Sequence, residues 1–327
     1  MDLQLLNETL AGAGEPTYRS SQVWEWLARG AGSYGAMTNL PVELRGLLAE
    51  RVPLSTLELE REALASDGTV KALLRTADGH AVEAVLMRYR DGRHSVCISS
   101  QSGCPLTCTF CATGRMRFAR NLTRDEIVDQ VLHFRRRFGV DHAVFMGMGE
   151  PMMNLDAVLG ACELLPAIGI TNRRTAISTV GWIPGIERLT ASGVPVRLAL
   201  SLHAPEDALR SELMAVNERY PLVDVLEACR AHYAATRRTV FIEYVMLAGV
   251  NDRYEQALAL ARLLSPREGF KVNLIPYNPT DSLYQGSSRE AIAAFRGALE
   301  SKGIPVTVRL TRGRDIAAAC GQLAAAG

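Results

Sequence analysis

The sequence predicts an α/β fold, a parallel sheet rolled into a partial (βα)6 barrel behind a small N-terminal helical domain and a β-hairpin/meander extension. Three observations carry this. From about residue 94, six apolar runs of strand length alternate with six helical patterns. Ahead of them, two Asp-Gly turn signals punctuate extended runs. Polar residues also collect where the predicted strands end, and barrels build their sites from C-terminal strand ends. Strand–helix alternation by itself fits an open doubly wound sheet equally well; the polar strand ends favour the barrel.

The elements follow in chain order. In "SSQVWEWLARG" (20–30), Val23, Trp24 and Leu27 share one face at helical spacing. In "MTNLPVELRGLLAERV" (37–52), Pro41 sits near a helix start, with Leu44, Leu47 and Leu48 following. Asp67-Gly68 and Asp78-Gly79 then mark an antiparallel meander. The six barrel strands are 95–100, 142–147, 174–179, 196–203, 239–246 and 270–276. In the helix after the first strand, Thr123 and Glu126 are spaced as a capping box, and Ile127, Val128, Val131 and Leu132 form its buried stripe. Further helices are expected near 155–167, 184–192, 206–236, 252–266 and 288–302. The domain boundaries are 1–55, 56–92 and 93–327.

Composition narrows the class. A chain of 327 residues with 48% hydrophobic and 22% charged residues supports a sizeable core without staples. A net charge of +1 neither announces nor excludes a nucleic-acid partner, which local basic patches would have to hold. No apolar run reaches membrane-spanning length, and "MDLQLLNETLAGAGEPTYRS" lacks the pattern of a signal peptide. A cytoplasmic protein is expected. There, clustered cysteines signal metal or redox chemistry more often than structural disulfides.

Three of the seven cysteines fall within "CPLTCTFCATG", as Cys104-x3-Cys108-x2-Cys111. Thiolates this close can wrap one metal centre. A four-cysteine zinc site would need a second closely spaced pair, and none follows. Cys162 and Cys229 stand singly within predicted helices and read as core. Three ligands on a four-iron cluster leave one iron open, as a catalytic metal site requires.

This spacing, with Phe110 just before the third cysteine, resembles the radical S-adenosylmethionine enzymes. "SSQSGCPLTCTFCATG", "RNLTRDEIVDQV", "VFMGMGEPMMN", "ISTVGWIPGI", "LALSLHAP", "VNLIPYNP" and "TRGRDIAAACGQLA" together resemble the RlmN/Cfr family of RNA adenine methyltransferases. The resemblance extends to "YRSSQVWEWL" and "MTNLP" near the start, and so covers nearly the whole chain.

The resemblance implies a radical S-adenosylmethionine barrel, a 4Fe-4S cluster on Cys104, Cys108 and Cys111, and two S-adenosylmethionine molecules consumed per turnover. One methylates the carrier Cys320. The other, cleaved reductively on the cluster, yields a 5′-deoxyadenosyl radical that activates the S-methyl group for addition to the base. Cys97 matches the resolving cysteine, which forms a transient disulfide with Cys320 as product leaves, and Glu83 the base that takes the ring proton. Gly149 and Glu150 match the motif for the methionine amino group. Ser178, Ser201, Leu202, His203 and Asn278 match positions contacting the sulfonium, ribose or adenine. The expected substrate is carbon 2 of an adenine in 23S rRNA, with tRNA as a further substrate; carbon 8, as in the antibiotic-resistance branch, or another substrate altogether, are the alternatives. An RNA-binding protein with a structural cluster would need none of Cys97, Cys320 and Glu83. A flavodoxin-like electron donor and a monomeric state are also expected.

For RNA contact the sequence offers Arg115, Arg117, Arg120, Arg135, Arg136, Arg137, Arg173 and Arg174, read as lying near the cluster end, and Arg312 and Arg314 beside the carrier. The N-terminal helical region is expected to help grip RNA, by resemblance. Arg117 stands where the family commonly has glycine, so the loop after the cluster is expected either to differ in shape or to supply another phosphate contact.

Overall fold

The computed structural model describes residues 1–324. Three helices open the chain: α1 (Leu3–Gly12), α2 (Tyr18–Ala28) and α3 (Val42–Arg51). Their buried faces are Leu6 and Leu10, Val23 and Leu27, and Leu44 and Leu48. These side chains join one continuous core that runs on through the sheet to Val306.

The meander forms as its turns dictate. Strands β1 (Leu57–Leu64), β2 (Val70–Thr76) and β3 (Ala81–Arg88) pair antiparallel. Gly68 and Gly79 take φ of 82° and 83° at the two hairpins, a region that glycine enters freely. β3 then pairs antiparallel with β4 (His94–Cys97), setting Val85 opposite Cys97.

After a two-residue hairpin of β5 (Gln101–Ser102) and β6 (Arg120–Asn121), the chain settles into strand and helix. The strands are β7 (His142–Phe145), β8 (Thr175–Thr179), β9 (Arg197–Ser201), β10 (Val240–Met246), β11 (Phe270–Pro276) and β12 (Val306–Val308). Sheet order is β1-β2-β3-β4-β7-β8-β9-β10-β11-β12, parallel from β4 onward. β1 and β12 are its edges, so the barrel is partial. The six predicted strands are present, and β12 adds a seventh parallel strand too short to show in an apolar pattern.

The helices between them are α4 (Arg124–Arg135), α5 (Leu155–Leu164), α6 (Ile183–Ser192), α7 (Asp207–Leu213), α8 (Leu222–Thr236), α9 (Tyr254–Leu263) and α10 (Arg289–Ser301). α4 carries the capping box, with Thr123 Oγ1 accepting from the Glu126 amide at 3.1 Å and Glu126 accepting from the Thr123 amide at 2.8 Å. Its stripe Ile127, Val128, Val131 and Leu132 is buried. The single helix expected over 206–236 is instead two: α7 ends at Leu213 where Met214 turns extended, a 3-10 turn follows over Ala215–Glu218, and Pro221 starts α8 afresh.

Candidate active site

All three clustered cysteines lie beyond the C-terminal end of β4. The loop is tightly folded: Gly103, at φ 74°, leaves room for the Arg117 carbonyl, which a Cβ there would meet at 2.3 Å. Arg117 therefore contributes backbone to this loop while its side chain stays exposed. Burial is the main reason the Cys104 thiol is pushed up to about 12 and Cys108 well above its ordinary value, and the neighbouring thiols add to both. Among the described residues no three His, Cys, Asp or Glu side chains converge on one ion position. A four-iron cluster, which takes each thiolate on a different iron, does not need such a point. Three soft, mutually coupled thiols suit that group.

Beside Cys111 lies a cavity of about 160 Å³, walled by Gly149, Glu150, Ser178, Ser201 and His203 among others. Glu150 is buried; its carboxylate accepts from the Met152 amide at 3.0 Å and the Val180 amide at 2.9 Å. Burial raises its pKa to about 7. A carboxylate fixed and dehydrated in this way suits an ammonium ligand. Gly149 adopts φ 96°, and a Cβ there would strike Gln101 at 2.5 Å. The same Gln101 side chain accepts from the Glu150 amide at 2.8 Å, so this glycine lets the carboxylate be locked in place.

His203 sits at φ 59°, just past β9, with its ring edge-on to Phe110 at 4.9 Å. Its Nδ1 accepts from the Val245 amide at 3.0 Å, which leaves the proton on Nε2. Burial lowers its pKa to about 3, so the ring is neutral at physiological pH. Ser178 and Ser201 hydroxyls lie 3.3 Å apart on adjacent strands. Leu202 does not line the cavity; its side chain is buried in the core. Its carbonyl accepts from Arg210 Nε at 3.2 Å.

A second cavity, of about 40 Å³, is walled by Cys97, Cys320, Asn278 and Arg309. Cys97 is buried and Cys320 exposed. Burial and then the nearby Cys320 charge push the Cys97 thiol up to about 12. Arg309 is held above its ordinary pKa chiefly by Cys320. Cys320 and Arg309 line both cavities, and so join the two. Asn278 donates to the Cys320 carbonyl at 3.1 Å, while its own buried Oδ1 has no partner.

The tail carrying Cys320 is stitched to the cluster loop. The Ala112 amide donates to the Gly321 carbonyl at 2.8 Å, and Thr113 Oγ1 to the Leu323 carbonyl at 2.6 Å. Glu83 lies beneath this tail rather than in either cavity wall. Its carboxylate pairs with Lys71 Nζ at 2.9 Å and accepts from the Ala324 amide at 2.9 Å.

The sequence missed Arg309 and Arg210. Arg210 is wholly buried and donates to the Val180, Ser201 and Leu202 carbonyls and to Asn217, tying β8 and β9 together under the larger cavity. Several arginines read as RNA contacts are committed elsewhere. Arg120 forks onto Asp78 and Glu126, Arg137 pairs with Glu62, and Arg135 and Arg136 bond the Ala28 and Leu54 carbonyls. Arg173 and Arg174 precede β8, at the end of the sheet opposite the cluster loop.

Residues 98–261 match the Radical SAM superfamily. A "Probable dual-specificity RNA methyltransferase RlmN" of Chloroflexus aurantiacus is 47% identical over 99% of this chain and 91% of its own. A protein of the same description from Thermus thermophilus is 44% identical over 98% and 92%. The crystal structure of a radical SAM methyltransferase from Sphaerobacter thermophilus superposes with a TM-score of 0.94 at 45% identity, covering 100% of this chain and 98% of that one. No helix among the described residues is long and apolar enough to cross a membrane. With the thiol trio, the buried carboxylate and the full-length similarity in agreement, the chain belongs to the radical SAM superfamily and, within it, to the RlmN family of RNA methyltransferases.

Proposed function

We propose that this enzyme methylates carbon 2 of an adenine in 23S rRNA, and in tRNA, with Cys320 as methyl carrier and Cys97 as resolving thiol. One observation carries the reading: Cys97, deep on β4, and Cys320, in the C-terminal tail, wall one cavity with Arg309 between the site's two chambers. Structural thiols have no reason to meet there.

When bound, a 4Fe-4S cluster and S-adenosylmethionine supply methyl groups and one-electron chemistry, with a flavodoxin-class donor meeting the electron demand. Cys104, Cys108 and Cys111 would hold the cluster. Glu150 would receive the methionine ammonium, and Ser178, Ser201 and the His203 Nε2–H would offer polar contacts to the rest of the cofactor. Arg309 lines both cavities beside Cys320, the sulfur that would accept the methyl group.

Once the methyl carbon is joined to the base, Glu83 takes the ring proton, which requires the tail at Ala324 to lift from its carboxylate. The Cys97 thiolate then attacks the Cys320 sulfur. A sulfur–sulfur bond forms, the sulfur–carbon bond breaks, and its electron pair goes to the departing carbon, which a proton completes as methyl. A dithiol reductant returns the disulfide to two thiols.

The test supplies labelled S-adenosylmethionine and a synthetic RNA fragment, and maps the product by mass spectrometry. Methyl at carbon 2 is the expected outcome; methyl at carbon 8 would move the enzyme to the antibiotic-resistance branch. Cys320→Ala should lose methylation while keeping the cluster's absorbance, and retained methylation would sink the carrier role.

A further inference from the structure

Arg210, in the middle of α7, is the largest wholly buried side chain among the described residues. Among those residues no carboxylate lies within 4.0 Å of its guanidinium. Asp207, one turn earlier, is turned elsewhere: it accepts from the Leu222 amide at 2.8 Å and from Asn217 at 3.0 Å. It meets Arg210 only through Asn217, whose Oδ1 accepts from the guanidinium at 2.8 Å. A buried cation without a counter-charge is costly, and persists where its neighbourhood repays it.

The guanidinium holds the strand ends that carry the cofactor contacts. Three of its bonds go to the carbonyls of Val180, of Ser201 at 3.3 Å and of Leu202 at 3.2 Å. Val180 in turn gives its amide to the Glu150 carboxylate at 2.9 Å, and Ser201 lines the larger cavity. The Leu202 carbonyl also accepts from the Ala204 amide at 2.9 Å, closing a three-residue turn around His203. His203, at φ 59°, is strained for a residue other than glycine, and such strain survives only where neighbours fix the backbone.

The far end of α7 reaches the cluster loop. The Leu213 carbonyl accepts at 3.0 Å from the amide of Thr109, the residue after Cys108, and Cys108 packs against Leu213 and Met214. Arg210 is one turn back, its carbonyl bonded to the Met214 amide at 2.7 Å. Burial lowers the Arg210 pKa to about 10, which leaves it charged at neutral pH, and the Cys108 charge is the largest influence opposing that fall.

We infer that Arg210 is a positioning residue of the cofactor chamber: its fork fixes Val180, Ser201 and His203 for S-adenosylmethionine, and its unbalanced charge answers the anionic thiolates of the cluster loop. The inference rests on the cofactor reading above and is independent of which RNA carbon is methylated. Arg210 is absent from the wall of the larger cavity, and so acts through the carbonyls it holds. A cluster on three thiolates is anionic, more so when reduced, and a buried cation nearby favours the reduced form.

The experiment compares cluster-loaded parent, Arg210→Lys and Arg210→Met in the absence of RNA. Anaerobic equilibrium dialysis reads the affinity for S-adenosylmethionine, and a redox titration followed by electron paramagnetic resonance reads the cluster's midpoint potential. Lysine keeps the charge and loses the fork, so Arg210→Lys should bind the cofactor roughly tenfold more weakly at an unchanged potential. Arg210→Met loses both, and its midpoint should also move to more negative values. Parental affinity in Arg210→Lys, or an unshifted midpoint in Arg210→Met, overturns the inference; a merely structural role would lower iron content and thermal midpoint and leave the potential of the remaining cluster unmoved. Should Arg210→Met load no cluster, the affinity of Arg210→Lys decides. A parent that takes up no cluster overturns the cofactor reading itself, whereas one that binds both groups yet leaves carbon 2 unmethylated overturns only the RNA reading.

Discussion

Cys97 is buried and lines the cavity it shares with Cys320, and its thiol is pushed up to about 12, first by burial and then by the Cys320 charge. Its reactive form, the thiolate, is therefore scarce at neutral pH, and below the pKa its population climbs tenfold per unit. The disulfide-forming release of product should accelerate by roughly tenfold per unit between about pH 7 and about pH 9. Single-turnover quenching from a preformed RNA–enzyme adduct measures it, and a flat profile would contradict it. Cys97→Ala should halt the reaction with RNA still attached to Cys320, visible as a shifted band in denaturing gels. His203 behaves oppositely: neutral above about pH 3, it contributes no titration to cofactor binding over the same range. Spacing alone picked out only neighbours along the chain, Cys104, Cys108 and Cys111, and Gly149 with Glu150; Cys97 and Cys320, far apart in sequence, were named through the resemblance, and only the fold shows that they wall one cavity. Arg309 was not legible, because the pairing of β11 with β12 carries it to the site. Nor could a sequence show that the fork of Arg120 is already filled by Asp78 and Glu126.

At the level of elements, α4 joins the helical N-terminal region to the sheet. Thr123 and Glu126 cap it, Arg120 clamps Glu126 to the β2–β3 turn through Asp78, and Asp129 accepts from the Thr56 amide and, at 2.7 Å, its hydroxyl. Thr123→Ala should lower stability by about 1 kcal/mol through the missing cap, read as a lower denaturant midpoint. The meander, the capping box and the six strands were readable because turns and periodicity are local signals. The start of α8 at Pro221 was also written in the sequence, whereas nothing local marked the earlier stop at Met214. β12 could not be read: three residues carry no period, and what makes them a strand is the vacant edge of β11.

Across the whole molecule, the three N-terminal helices share one hydrophobic core with the sheet. Leu48 is fully buried in it, so Leu48→Ala should lower stability by about 3 kcal/mol. With Trp182 replaced by Phe, so that Trp24 and Trp26 alone report, fluorescence and far-ultraviolet dichroism should shift together in that variant, and an early tryptophan transition alone would reveal separate units. The parallel strand–helix order was legible from six repeats, and the polar strand ends tipped it toward a partial barrel. What the sequence concealed was which arginines are already bonded, since Arg120 and Arg137 look like Arg115 and Arg117 until their carboxylates are known.

The stitched tail has one more consequence. Ala112 and Thr113, directly after the last cluster cysteine, are bonded to Gly321 and Leu323, so the carrier's own chain forms a roof over the most fragile part of the enzyme. In the mechanism proposed above the tail lifts to serve the base, and that movement would open the roof and give dioxygen a route to the cluster. Tolerance of air should therefore track how long the tail stays down. A Thr113→Val enzyme, lacking one stitch, should bleach faster in aerated buffer than its parent.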